Sequence, residues 1–238
     1  MPTSRYRRDA LIIGAATGIF GAAFGVLAAS PGLSLAKTMA ISLLVFTGAS
    51  QFAAVGVVAS GGNQVTAVAS ALLLAARNGF YGLAIARYLG LRLTGRILAA
   101  QLVIDESTAL ALAQPDPADR ERAFLACGLS VFGFWNLGTV IGAVGGGAIG
   151  DPGALGLDAA FPAGFIALAA PAFGHRRGLV AAAVGAGVAL VATPFVRPGV
   201  PILLAAIGAV VALAVPASAP SSTGPAPADH AEETGADR

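Results

Sequence analysis

Charged side chains are scarce: Asp, Glu, Lys and Arg together make up 11% of the 238 residues, where a soluble domain carries roughly 25%. A water-facing surface cannot be built from so few, which excludes a free-standing soluble enzyme. Cysteine is scarcer still. The single Cys127 can form no intrachain disulfide and reads as a packing residue in an apolar run. Of the two histidines, His175 reads as a solvated loop residue and His230 falls in a polar tail, so no transition-metal site is expected. The patterns HExxH, GxSxG, CxxC and GxxxxGKS/T do not occur, which removes the common zinc, nucleophile, redox and nucleotide signatures. The expectation is a non-enzyme without metal or cofactor. Net charge is only +2, and the basic residues fall in short clusters rather than a stripe that could follow phosphates. Nucleic acid is therefore not an expected partner.

What the chain has in excess is apolar length, with 56% hydrophobic residues. No Asp, Glu, Lys or Arg occurs from Ala10 to Ala36, Thr38 to Ala76, Ala123 to Gly150 or Gly178 to Val196, and a membrane-crossing helix needs ~20 such residues. Arg5, Arg7 and Arg8 before the first run resemble the start of a signal peptide, but the later runs exclude a secreted domain as the whole account. The expected fold is all-α: a polytopic integral membrane protein with six to eight hydrophobic segments and lipid as its surroundings. The segments are Ala10 to Ala29, Ala36 to Ser60, Val65 to Tyr88, Ile97 to Leu112, Ala123 to Gly150, Ala159 to Phe173, Gly178 to Val196 and Val200 to Val215. Residues 1–9 form a cytoplasmic N-terminal segment, 10–216 the membrane domain, and 217–238, rich in Pro, Ala, Ser and acidic residues, a disordered tail.

Orientation then poses a conflict. Lys and Arg accumulate in cytoplasmic loops, yet three straight crossings from Arg5, Arg7 and Arg8 would put Arg87, Arg92 and Arg96 on the other side. A helix that breaks and folds back removes the conflict. The FTGASQF stretch, Phe46 to Phe52, suits such a break, because Gly48 and Ser50 weaken a helix and Gln51 offers an amide at membrane depth. The same device is expected between Ala123 and Gly150, around Gly133, Asn136 and Gly138. With both folded back, Arg176 and Arg177 fall inside and Asp151 and Asp158 outside. Val45-Phe46 and Val131-Phe132 open the two patches alike, which suggests an internal repeat. Transporters use repeats and discontinuous helices to line cavities.

Asp105 and Glu106 sit near the middle of the apolar segment from Ile97 to Leu112. A carboxylate at the centre of a spanning helix costs ~2.5–3.5 kcal/mol on insertion scales. Either one faces a cavity while the other pairs or stays neutral, or the helix is short and a carboxylate caps it near the surface. Arg77 interrupts another apolar run and is the natural partner, unless it snorkels to the interface. Gln51 and Asn136 fit either a substrate site or interhelical hydrogen bonds. Trp135 and Tyr81 read as packing or interface aromatics.

The stretches PGLSLAKTMAISLLVFTGASQFAAVGVVASGG, ARNGFYGLAIARYLG and IDESTALA, in that order and spacing, resemble the AzlC family of branched-chain amino-acid permeases. The similarity runs from about Gly21 to about Gly174. It implies a secondary transporter of the bacterial cytoplasmic membrane that exports branched-chain or other small apolar amino acids, gradient-driven, with a small AzlD-type membrane subunit as partner. On that reading Gly48, Ser50, Gln51, Arg77 and Asn136 bind substrate, and Asp105 and Glu106 serve coupling. A channel or a non-transporting assembly protein is the alternative. Where the family commonly has Asn-Leu-Arg-His, this chain has Ala75, Ala76, Arg77 and Asn78; the arginine is kept and the imidazole is not.

Overall fold

The computed structural model describes residues 4–149, 166 and 169–216, and among them helices are the only regular secondary structure. In chain order these are α1 Ser4–Ala29, α2 Leu35–Leu44, α3 Ala49–Ala59, α4 Gln64–Ala86, α5 Leu93–Ala100, α6 Asp105–Leu112 and α7 Pro117–Ile149. A 3-10 turn at Ala170–Gly174 leads into α8 Arg176–Ala192, α9 Val200–Ala205 and α10 Ile207–Leu213. Three of the described helices, over Arg5–Ala29, Gln64–Ala86 and Pro117–Gly146, are long and apolar enough to cross a membrane. The other described hydrophobic segments form shorter helices. The expected tail at 217–238, the segment Ala159 to Phe173 for most of its length, and Asp151 and Asp158 lie outside the described residues.

Glycine fixes how α1 and α7 meet. A Cβ on Gly138 would strike the Gly18 carbonyl, one on Gly142 the Ala22 carbonyl, and one on Gly146 would press on Val26. Only bare backbone permits so close an approach. Because the residue numbers rise together along this seam, α1 and α7 run parallel. The C-terminal end of α4 meets the start of α7: the Gly90 N–H donates to Glu121, and the Arg120 guanidinium lies 4.4 Å from the centre of the Tyr88 ring. Hence α4 runs against α1 and α7, and Arg5, Arg7, Arg8, Arg87, Arg92, Arg96, Arg120 and Arg122 gather at one basic end.

Two hairpins follow from these directions. The chain leaves α1 and enters α4 at the same, non-basic end, so α2 and α3 must go in and return. Phe46, between them, packs edge-on against Phe132 near the midpoint of α7 at 5.0 Å, and Phe52 has already turned back to Phe24 at 5.6 Å. Gly48 makes the reversal with φ 60° and ψ −88°, a backbone region that disfavours residues bearing a Cβ. From the basic end, α5 and α6 do the same, since Arg96 holds the Leu89 carbonyl at one foot and Arg120 the Gln114 carbonyl at the other. The tips meet at mid-height, where Gln101 Nε2 donates to the Leu43 carbonyl at 2.7 Å. The last helices attach to α4 through Ser70, whose hydroxyl donates to the Gly199 carbonyl at 3.3 Å.

The first fold-back expected from sequence is therefore present, and the second is corrected. Residues 123–149 do not fold back but lie within one uninterrupted helix, because Gly138 and Gly142 are spent on the seam with α1 rather than on a break. The suggested repeat of Val45-Phe46 with Val131-Phe132 falls with it. The second hairpin is instead the segment from Leu93 to Leu112, so Asp105 and Glu106 open a half-helix instead of sitting inside a continuous one.

Cys127 is fully buried beside Val131, Trp135 and Phe24, as a packing residue should be.

Candidate functional site

The two hairpin tips, the middle of α4 and one face of α1 and α7 line a cavity inside the bundle. Its polar end holds Arg77, Asp105, Glu106 and Thr47 with the backbone of Gly48 and Ala49; its apolar walls include Phe20, Phe46, Phe52, Ile104, Val131 and Trp135. Arg77 Nη1 stands 3.3 Å from Asp105 Oδ2. Each side chain of that pair keeps about a third of its surface open (36% and 35%), so neither charge is consumed by the contact.

Local sequence explains why the groups converge. The break before α6 is closed by Ser107: its Oγ accepts from the Ile104 N–H at 3.2 Å and donates to the Leu102 carbonyl at 2.6 Å. That turn places Asp105 and Glu106 in the first turn of α6, where unpaired backbone N–H groups favour negative charge. Across the cavity α3 begins at Gly48, so two helix N-termini open onto one space. The aromatic wall is tied together, with Phe24 stacked on Trp135 at 6.3 Å and Phe52 edge-on to Trp135 at 6.0 Å.

The residues singled out from sequence divide. Gly48, Arg77, Asp105 and Glu106 line the cavity. Ser50, Gln51 and Asn136 are buried next to it and hydrogen-bond to neighbouring backbone and side chains, although Gln51 Oε1 is buried without a partner among the described residues. Gln51 Nε2 donates to the Ile41 and Ser42 carbonyls at 3.0 and 3.3 Å, ending α2. Ser50 pairs with the Thr47 hydroxyl. Asn136 accepts from Ser42 Oγ at 2.8 Å and donates to the Phe132 carbonyl at 2.8 Å, joining α2 to α7. His175 is exposed ahead of α8. Sequence reasoning passed over Thr47, Phe46 and Gln101; the last carried a signal, an amide inside an apolar segment.

Every described lining residue lies between Thr17 and Trp135, and the same stretch carries the likeness to known proteins. A family model described as AzlC protein matches residues 13–149. A relative from Archaeoglobus fulgidus, described as an uncharacterized membrane protein, is 32% identical over 126 residues, or 53% of this chain and 54% of that protein. The chain thus spans about half the length of the curated relative it matches. No solved structure matches it. With α1 to α7 matched over more than half of the chain and three helices of membrane-crossing length, the protein belongs to the AzlC family and is a membrane protein.

Proposed function

We propose that the chain is a secondary transporter that exports branched-chain or other small apolar amino acids across the cytoplasmic membrane, and that the mid-height cavity is its substrate site. The observation that carries this reading is the pairing of a charged end with an apolar chamber. Arg77 offers five N–H donors and spends one on Asp105, leaving others for a substrate carboxylate. The N-termini of α3 and α6 add donors of the same sign. The carboxyl groups of Asp105 and Glu106 suit the substrate ammonium, and the Phe, Trp, Ile and Val walls suit an aliphatic side chain.

Charge balance supports coupling to a gradient. Arg77 against Asp105 and Glu106 leaves one negative charge over, and a bound zwitterion adds none. A proton or a small cation restores neutrality at membrane depth, where an uncompensated charge is costly. Glu106, which forms no salt bridge among the described residues, is the candidate carrier, with Asp105 as its neighbour. The positive-inside rule reads the arginine-rich end as cytoplasmic. A small AzlD-type subunit remains the partner that the family resemblance implies.

Counterflow in proteoliposomes tests the reading. A transporter exchanges labelled for unlabelled leucine, isoleucine or valine with saturation, a channel passes them without saturation, and an assembly protein passes neither.

A further inference from the structure

Tyr88, two residues past the end of α4, carries two guanidinium groups on one ring. That of Arg87 lies 4.7 Å from the ring centre, and that of Arg120, near the start of α7, lies 4.4 Å from it. The ring is anchored where it packs against the cluster of Ile85, Leu89, Leu102 and Phe124. It attracts each cation through its quadrupole but supplies no negative charge. The carboxylates at this end are engaged elsewhere or stand apart: Glu121 accepts from the Gly90 N–H, Asp116 from the Ala118 N–H, Asp119 pairs with Arg122 at 3.5 Å, and Asp9 forms no ion pair. Among the described residues neither Arg87 nor Arg120 has a carboxylate within salt-bridge distance. Arg87 makes no hydrogen bond to them, Arg120 spends Nε alone, on the Gln114 carbonyl at 3.0 Å, and the Tyr88 hydroxyl has no hydrogen-bond partner among them.

We propose that Arg87, Tyr88 and Arg120 form a binding site for the phosphodiester headgroup of an anionic phospholipid. Donor chemistry, depth and the adjoining surface support it, independently of what the chain transports. Guanidinium N–H groups match phosphate oxygens in pairs, and the free phenol adds a further donor. Helix α4 has 23 residues, ~34 Å at 1.5 Å each, against a hydrocarbon core of ~30 Å. Residues just past its end therefore stand at headgroup level, where basic pockets between membrane helices take anionic lipids. The surface next to the site favours a lipid over a free phosphate. Phe80 and Leu83 lie seven and four residues before Arg87, on the same face of the helix, and both are exposed, so acyl chains have apolar side chains to follow. Arg120 also holds one foot of the α5–α6 hairpin through Gln114, and a headgroup on Arg120 braces the hairpin that carries Asp105 and Glu106.

Thermal unfolding of the purified full chain in detergent tests the site, with phosphatidylglycerol or phosphatidylcholine of the same acyl chains titrated in and native mass spectrometry reading the lipid retained. Phosphatidylglycerol should raise the midpoint by several degrees over phosphatidylcholine and stay bound. Arg87→Gln, which breaks no hydrogen bond among the described residues, should weaken the apparent affinity for phosphatidylglycerol about fivefold. Tyr88→Phe, which keeps the ring, should weaken it less. Arg120→Gln should weaken it at least as much as Arg87→Gln, and Arg87→Gln carries the test if loss of the Gln114 contact unfolds the Arg120 variant. Arg92→Gln removes the same charge at the same end without a recorded contact to Tyr88, and should keep most of the parent affinity. The site is overturned if Arg87→Gln and Arg92→Gln weaken binding equally, the result of a general attraction to the basic end, or if phosphatidylglycerol protects no better than phosphatidylcholine. Inorganic phosphate at millimolar concentration should leave the midpoint unchanged; protection equal to that by phosphatidylglycerol would make this a site for a soluble anion and overturn the lipid assignment.

Discussion

Arg77 Nη1 lies 3.3 Å from Asp105 Oδ2, an ion pair that joins the middle of α4 to the first residue of α6. It fixes the α5–α6 tip against a spanning helix and leaves both groups partly open to the cavity. A charge deprived of its partner in such surroundings is penalised more than a pair removed together. Arg77→Gln and Asp105→Asn should each lower membrane expression several-fold, and the double change should recover it without recovering transport. Fluorescence size-exclusion chromatography of tagged variants measures this; a double variant no better than either single one would show that the pair is not what holds the tip.

The path of the chain predicts a labelling pattern. Ser30 and Ser60 are exposed at the two ends of the α2–α3 hairpin, and Thr94 is exposed at the start of α5. In a Cys127→Ala background, Ser30→Cys and Ser60→Cys should react with an impermeant thiol reagent from one face and Thr94→Cys from the opposite face. Reaction of Ser30→Cys and Ser60→Cys from different faces would mean that the hairpin crosses.

The α1–α7 seam predicts opposite outcomes for two glycines of one helix. A Cβ on Gly142 would collide with the Ala22 backbone, whereas Gly133 has nothing within 4 Å. Gly142→Ala should destabilise by roughly 1–3 kcal/mol through overpacking. Gly133→Ala should be neutral or gain up to ~1 kcal/mol from helix propensity. Thermal unfolding in detergent distinguishes them, and equal midpoints would argue against close packing at the seam.

These glycines also show where sequence reading stopped. In FTGASQF, Gly48 marked a true break because its backbone must turn with positive φ, a need local to that residue. Gly133 and Gly138 carried the same local weakness, but the neighbouring helix uses Gly138 as a contact surface, and no single-helix argument reveals which use applies. The α5–α6 break was illegible for the converse reason: Gln101 to Ile104 contains neither glycine nor proline, and the turn is held by the Ser107 hydroxyl and by Gln101 reaching Leu43 on another hairpin. Charge was the most legible feature. Arg77, Asp105 and Glu106 stood out as costly at membrane depth, and they line one cavity. Gln51 and Asn136 stood out equally, yet the Gln51 amide nitrogen donates to carbonyls of α2 and the Asn136 amide oxygen accepts from Ser42 of α2, a distinction that depends on which way each helix is turned.

The central claim, that one cavity reads the carboxylate, the ammonium and an aliphatic side chain together, is tested most directly by competition in leucine counterflow. Leucinamide lacks the carboxylate that Arg77 would bind, and 4-methylpentanoate lacks the ammonium that Asp105 and Glu106 would accept. Isoleucine and valine should compete with labelled leucine, while both truncated analogues should compete at least about tenfold more weakly, each having lost a charge-assisted contact. If leucinamide or 4-methylpentanoate competes as well as valine, the charged end of the cavity does not read the substrate, and the assignment of Arg77, Asp105 and Glu106 to it is wrong.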